Sequence, residues 1–96
     1  MKQIVILKTA LTEIADAISF YDERKAGLGD RLLTELEHAL HRIGRHPRVG
    51  ELIDDQHRRQ LLNRFPFAVL YSEEPLRILV VALMHQQRRP KYWINR

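Results

Sequence analysis

Hydrophobic positions along this chain change period near its middle, from helical spacing to the alternation and short apolar runs of strands. Residues 2–7 are a brief apolar run rich in β-branched side chains and predict a first strand. From Thr9, a candidate N-cap, Leu11, Ile14, Ile18 and Tyr21 recur at helical spacing, with Ala10 and Ala17 beside them. Glu13, Asp16, Asp22 and Glu23 lie off that stripe, and the early acids suit the positive end of a helix. Gly27 and Gly29 break the pattern, as a short turn between helices would. A second helix is predicted over residues 30–45, with Asp30 as its cap. Its buried stripe is Leu32, Leu33, Leu36, Leu40 and Ile43. Arg42, Arg45 and His46 crowd its C-terminal end, and Pro47 stops it. So short a turn implies an antiparallel helical hairpin.

Residues 48–57 are mixed and polar and read as a loop. Three strands follow, over residues 58–63, 67–72 and 77–84, with Glu73-Glu74-Pro75 turning between the last two. The third is apolar on both faces in its middle, which places it inside the sheet rather than at an edge. The order β-α-α-β-β-β predicts an α+β fold, a helical hairpin packed on a small, twisted, antiparallel-rich sheet. The other face, or the end where the third of these strands exits, is left for binding.

With 96 residues, the expectation is one domain spanning 1–96. No apolar run approaches the ~20 residues of a membrane span, so no membrane role is expected. The start is too quickly polar for a signal peptide. The absence of cysteine excludes disulfides and thiolate metal sites and fits a cytoplasmic protein. Charge is unevenly placed. Residues 1–47 carry seven basic and seven acidic groups, whereas residues 48–96 carry nine and five, so the whole net charge of +4 comes from the second half. Twelve of the sixteen cations are Arg, whose planar fork grips phosphate or carboxylate in two places.

Chemistry concentrates in the last twelve residues, His85-Gln86-Gln87-Arg88-Arg89-Pro90-Lys91-Tyr92-Trp93-Ile94-Asn95-Arg96, which hold four fixed cations, no acid and the only Trp. Such a segment at the end of a buried strand is a plausible grip for a polyanion or an acidic protein. The histidines build no metal site. His38 and His41 share a helix face without a third ligand, and His46 and His57 lie apart. No cofactor is expected, since there is neither a glycine-rich phosphate loop nor a nucleophile elbow.

The order of these pieces resembles the RelE/ParE superfamily of bacterial toxins, and in particular ParE-like plasmid-stabilisation proteins. Ala10-Leu11-Thr12-Glu13-Ile14 opens the first helix, and Ala39-Leu40 through Pro47 closes the second. Arg64-Phe65-Pro66-Phe67-Ala68-Val69-Leu70-Tyr71 follows, and then Ile78 to Met84 with His85-x-x-Arg88-Arg89-Pro90-x-Tyr92-Trp93. The resemblance implies the toxin of a type II toxin–antitoxin pair, neutralised by a cognate antitoxin, with a heterotetramer of two toxins and two antitoxins common in the family. It also implies one of two targets. ParE-like members poison DNA gyrase by binding; RelE-like members cleave messenger RNA on the ribosome without a metal.

For cleavage, the resemblance assigns Arg64 and Arg88 to the phosphate and Tyr92 to proton transfer. His85 is a second acid or base, since imidazole titrates near ~6.5. Tyr92 needs adjacent cations to bring its phenol down from ~10 before it acts as a base. Two departures favour the ParE branch. Gln86 stands where RelE has a second phosphate-gripping Arg, and no upstream lysine pair is present, His57, Arg58 and Arg59 being the nearest basic residues. Partner contacts are expected from Arg58, Arg59, Arg64, Arg88, Arg89, Lys91 and Trp93. Each has a plainer role available. Arg64 pairs with Asp54 or Asp55, His85 ends a strand, and Tyr92 and Trp93 close the core as a lid. A third functional reading is a non-toxic module that keeps only antitoxin binding.

Overall fold

The computed structural model describes residues 2–87 and 92–96. Its elements are β1 (Gln3–Ile6), α1 (Lys8–Arg24), α2 (Leu28–Arg45), β2 (Glu51–Leu52), β3 (Arg58–Leu61), β4 (Phe67–Glu73) and β5 (Arg77–His85). The five strands form one sheet in the order β1-β5-β4-β3-β2. β1 runs parallel to β5 and every other pairing is antiparallel. This is the α+β arrangement expected, with β5 flanked by β1 and β4. One strand was not foreseen. The two-residue β2 lies in the stretch read as loop, too short to leave a periodic signal. No helix among the described residues is long and apolar enough to cross a membrane.

Both helix starts differ from expectation. Leu7, not Thr9, is the N-cap of α1, with no side-chain cap bond. Pairing with the sheet continues through Leu7, whose N–H donates to Val80 O at 3.0 Å, so the helix begins as soon as the strand ends. The first turn of α1 then holds no acid. α2 starts at Leu28 after Gly27, which takes the left-handed conformation with φ 88°. Gly27 can do so because it lacks a Cβ. The free Gly29 N–H donates to Asp22 Oδ1 at 2.7 Å, so α1 caps α2 across the hairpin. Asp30 instead lies in the first turn, where its charge suits the helix dipole.

The core lies between the helices and one face of the sheet. Ala10, Ile14 and Ala17 of α1 meet Leu32, Leu36, Ala39 and Ile43 of α2 over Val69, Tyr71, Ile78, Val80 and Leu83. Leu11 and Leu33, both expected inside, are exposed. The small Ala10 and Ala17 line the contact in place of Leu11, which lets α1 approach closely and rotates the buried stripe. A second cluster of Leu70, Val81, Ala82 and Trp93 covers the opposite face. That face is therefore not left bare.

A bulge on β5 links the two clusters. Tyr71 pairs with Val80 and Leu70 with Ala82, which leaves Val81 unpaired. Past it the alternation changes phase. Ile78 and Val80 join the helix-side core, Val81 and Ala82 the other cluster, and Leu83 returns to the helix side.

Candidate partner-binding site

β1 is only four residues long, so it covers β5 no further than Val80. Beyond that point the open edge of β5 is closed by side chains. Glu13 Oε1 accepts the Leu83 N–H at 3.2 Å, and Arg96 Nη1 donates to Val81 O at 3.2 Å. The same two residues pair with each other, Nη1 to Oε1 at 2.7 Å and Nη2 to Oε2 at 3.1 Å. Tyr92 Oη donates to Glu13 Oε2 at 2.8 Å and lies 3.4 Å from Leu83 O. The hydrogen bonds to the Glu13 carboxylate hold the Arg96 guanidinium even more firmly protonated than usual. One carboxylate thus fastens the turn at 92–95 to α1 and β5. That turn seats Trp93, 2% exposed, in the second cluster with its ring 4.7 Å from that of His57. Trp93 is a lid on the core, and its ring offers no outer surface.

One groove opens beside this clasp, and a second shares Tyr21 with it. The first, of about 340 Å³, is lined by Glu13, Asp16, Phe20, Tyr21, Phe67, Leu83, His85 and Tyr92, with Ala17 behind. His85 Nδ1 accepts the Gln87 N–H at 3.1 Å. In the neutral ring the proton is therefore on Nε2, as assigned from that bond. The His85 ring stands edge-on to Phe67 at 5.2 Å. The second groove, of about 700 Å³, is lined by Tyr21, Leu28, Arg31, Thr34, Glu35, Arg64 and Phe65. Tyr21 is the shared wall, packing edge-on to Phe65 at 5.2 Å and to Phe67 at 6.2 Å. A row of rings therefore joins the place of Arg64 to the place of His85 and Tyr92. Their being neighbours follows from tertiary packing, since the linking ring comes from α1.

Arg64 is held in an unusual way. Leu62 N–H bonds Phe67 O at 2.9 Å and Gln86 N–H bonds Pro66 O at 2.9 Å, which pins the turn between β3 and β4. Within that turn Arg64 has φ 69°, the one positive φ of a non-glycine residue among those described. Left-handed backbone is unfavourable for a side chain with a Cβ. It pairs with neither Asp54 nor Asp55. Asp54 is occupied by the N–H groups of Gln56 and His57 and by the His57 ring, at 2.7 to 3.0 Å.

Arg58 and Arg59 do not join this surface. Arg58 sits opposite Tyr71 and Arg59 opposite Leu70, so their side chains take opposite faces of the sheet. Arg58 donates to Gly50 O at 2.8 Å and Arg48 O at 3.2 Å, and Arg59 pairs with Glu51 at 3.2 Å. Arg58 serves to hold the 48–50 loop rather than to await a ligand. Arg88, Arg89 and Lys91 lie outside the described residues. Glu13, Tyr21, Arg31 and Glu35 were missed in the sequence. The one signal for Glu13 was complementarity, because a closing segment with four cations and no acid must find its carboxylate elsewhere.

The family model described as ParE toxin of type II toxin-antitoxin system, parDE, matches residues 4–90. The chain belongs to that ParE toxin family. Among solved structures it is similar to a chain of the "chromosomal ParDE TA system from P. aeruginosa". The TM-score is 0.77 at 11% identity, over 88% of this chain and 96% of that one. At that identity the likeness concerns the fold. No curated protein sequence matches the chain.

Proposed function

We propose that this protein is a toxin of the ParE type that acts in the cytoplasm by binding DNA gyrase and is neutralised by a cognate antitoxin. The observation that carries binding over cleavage is the state of Tyr92. Its phenol donates to the Glu13 carboxylate at 2.8 Å. That bond commits the phenol's proton to the clasp that fastens the 92–95 turn, a structural task that involves no proton transfer. Gln86, where an RNA-cleaving relative of the superfamily carries a phosphate-gripping Arg, points the same way. What the surface does offer is an aromatic row with Arg64 at one end and His85 at the other, a contact surface for protein.

The deciding experiment is gyrase supercoiling with purified toxin, with and without antitoxin. Loss of supercoiling or accumulation of cleaved DNA, reversed by antitoxin, is the expected result. Unchanged supercoiling at large toxin excess would refute the gyrase target. The alternative, a ribosome-dependent ribonuclease, draws on the shared groove of His85 and Tyr92 and on Arg64 next to it. It predicts new transcript 5′ ends after induction that vanish in Tyr92→Phe. A protein that still binds antitoxin but inhibits neither process would be the non-toxic module.

A further inference from the structure

The groove beside the clasp has a makeup at odds with the chain around it. The protein carries a net charge of +4, yet among the described residues no lysine or arginine lines this cavity of about 340 Å³. Its walls hold the rings of Phe20, Tyr21, Phe67 and Tyr92 together with the carboxylates of Glu13 and Asp16. Glu13 is committed to the Leu83 N–H, Tyr92 and Arg96. Asp16, in contrast, is exposed and forms no ion pair or hydrogen bond among the described residues. Phe20 is 47% exposed, so solvent reaches its ring. Two of the rings already meet a guanidinium of this chain. Arg24 Cζ lies 4.2 Å from the centre of the Phe20 ring, and Arg96 Cζ lies 5.1 Å from that of Tyr92. At such distances the face of a ring attracts a cation. Rings of this kind beside an uncommitted carboxylate form a site for an organic cation.

We propose that this groove receives the side chain of an arginine or lysine presented by the toxin's protein target. Asp16 pairs with the cationic head, and the rings of Phe20, Tyr21 and Phe67 take the aliphatic stem and flank the charge. The sign of the lining decides against a phosphate backbone. Nucleic acid would bring negative charge up to Asp16 and Glu13, with no cation in the described lining to offset it. Naming gyrase as the source of the side chain rests on the reading above; the preference for a cation belongs to the groove itself.

The test measures gyrase inhibition by wild type, Asp16→Asn, Asp16→Arg and Phe20→Leu, with thermal unfolding of each free toxin as the control. Both positions are exposed, so all three variants should unfold close to the wild-type temperature. The toxin concentration that halves supercoiling should rise roughly five-fold in Asp16→Asn and ten-fold or more in Asp16→Arg, whose guanidinium competes for the rings. Phe20→Leu keeps an apolar contact but removes a ring face, and inhibition should weaken there too. In parallel, methylguanidinium chloride is titrated into the free toxin at constant ionic strength. It should shift the ring NMR signals of Phe20 and Tyr21 in the wild type and leave them in place in Asp16→Asn. An active wild type matched by all three variants would overturn the groove and leave the gyrase reading standing. Stronger inhibition by Asp16→Asn would overturn it as well, because it would reveal an anionic occupant. A wild type that leaves supercoiling untouched would defeat the gyrase reading instead. The methylguanidinium titration then decides for the groove alone: shifts that depend on Asp16 uphold it, and their absence overturns it.

Discussion

Arg64 and Tyr71 show how single residues divide between function and stability. The left-handed backbone at Arg64 costs about 1 kcal/mol or more, which glycine would relieve. Glycine also adds chain entropy, worth roughly 0.5–1 kcal/mol against folding. The expected outcome for Arg64→Gly is therefore a stability within about 1 kcal/mol of wild type, read by denaturant unfolding. Gyrase inhibition or antitoxin affinity should meanwhile drop markedly. A variant that loses stability and keeps both activities would mark Arg64 as a structural residue. Tyr71 is the opposite case. Its buried hydroxyl donates to Pro47 O at 2.6 Å and accepts from Gly50 N at 2.9 Å. A Cβ on Gly50 would fall 2.7 Å from that oxygen, so glycine is required there by space. Tyr71→Phe strands both loop groups and should cost about 1–3 kcal/mol with little direct effect on binding. An unchanged unfolding midpoint would show that the loop finds other partners. Both residues stood out in the sequence, but only the backbone angle and the loop contacts separate their roles.

At the level of elements, the short β1 and the long β5 create the need that Glu13 meets. Strand lengths were readable within a residue or two, because apolar runs mark them. That the unmatched edge of β5 would be closed by a helix carboxylate and Arg96 was not readable. Those residues are far apart in sequence, and neither carries a local pattern. Glu13→Ala should free the turn at 92–95 and loosen the packing of Trp93. As the sole Trp, it reports the change directly: its emission should shift to the red and become open to acrylamide quenching. Emission identical to wild type would mean that hydrophobic packing of Trp93 holds the turn without the clasp. The cap of α2 teaches the same lesson. Sequence offered Asp30 next to the helix, whereas the hairpin supplies Asp22 from the other helix.

Across the whole molecule, titration follows from which charges folding has paired. The N–H of Gln56, with lesser help from His57, holds the Asp54 carboxyl below its ordinary value. Lys2, at 3.0 Å, and then Arg48 do the same for Glu73. A carboxylate depressed by folding contributes stability above its unfolded value and loses it as pH falls through the folded one. Burial pushes the Tyr71 phenol up, so its contribution is intact below the unfolded value and lost as pH rises through the folded one. Stability should thus hold a plateau at neutral pH, fall below about pH 4, and fall again above about pH 10. Unfolding temperature against pH checks both limbs. Asp54→Asn with Glu73→Gln should flatten the acid limb, and an acid limb unchanged in that double variant would assign it to other carboxylates.

By itself the sequence determined the order of every element but the two-residue β2, the α+β class, the interior place of β5 and the ParE-like pattern. These rest on periodicity and on chain-local stops such as Gly27 and Pro47, which act over a few residues. Tertiary structure alone decided that Tyr21 would join Arg64 to His85 and that Arg58 would hold the 48–50 loop. It also decided that Trp93 would be sealed inside and that Glu35 Oε2 would be shielded without a donor among the described residues. Those outcomes depend on the β5 bulge, the close approach of α1 through its alanines and the crossing of distant segments. None of these leaves a period along the chain.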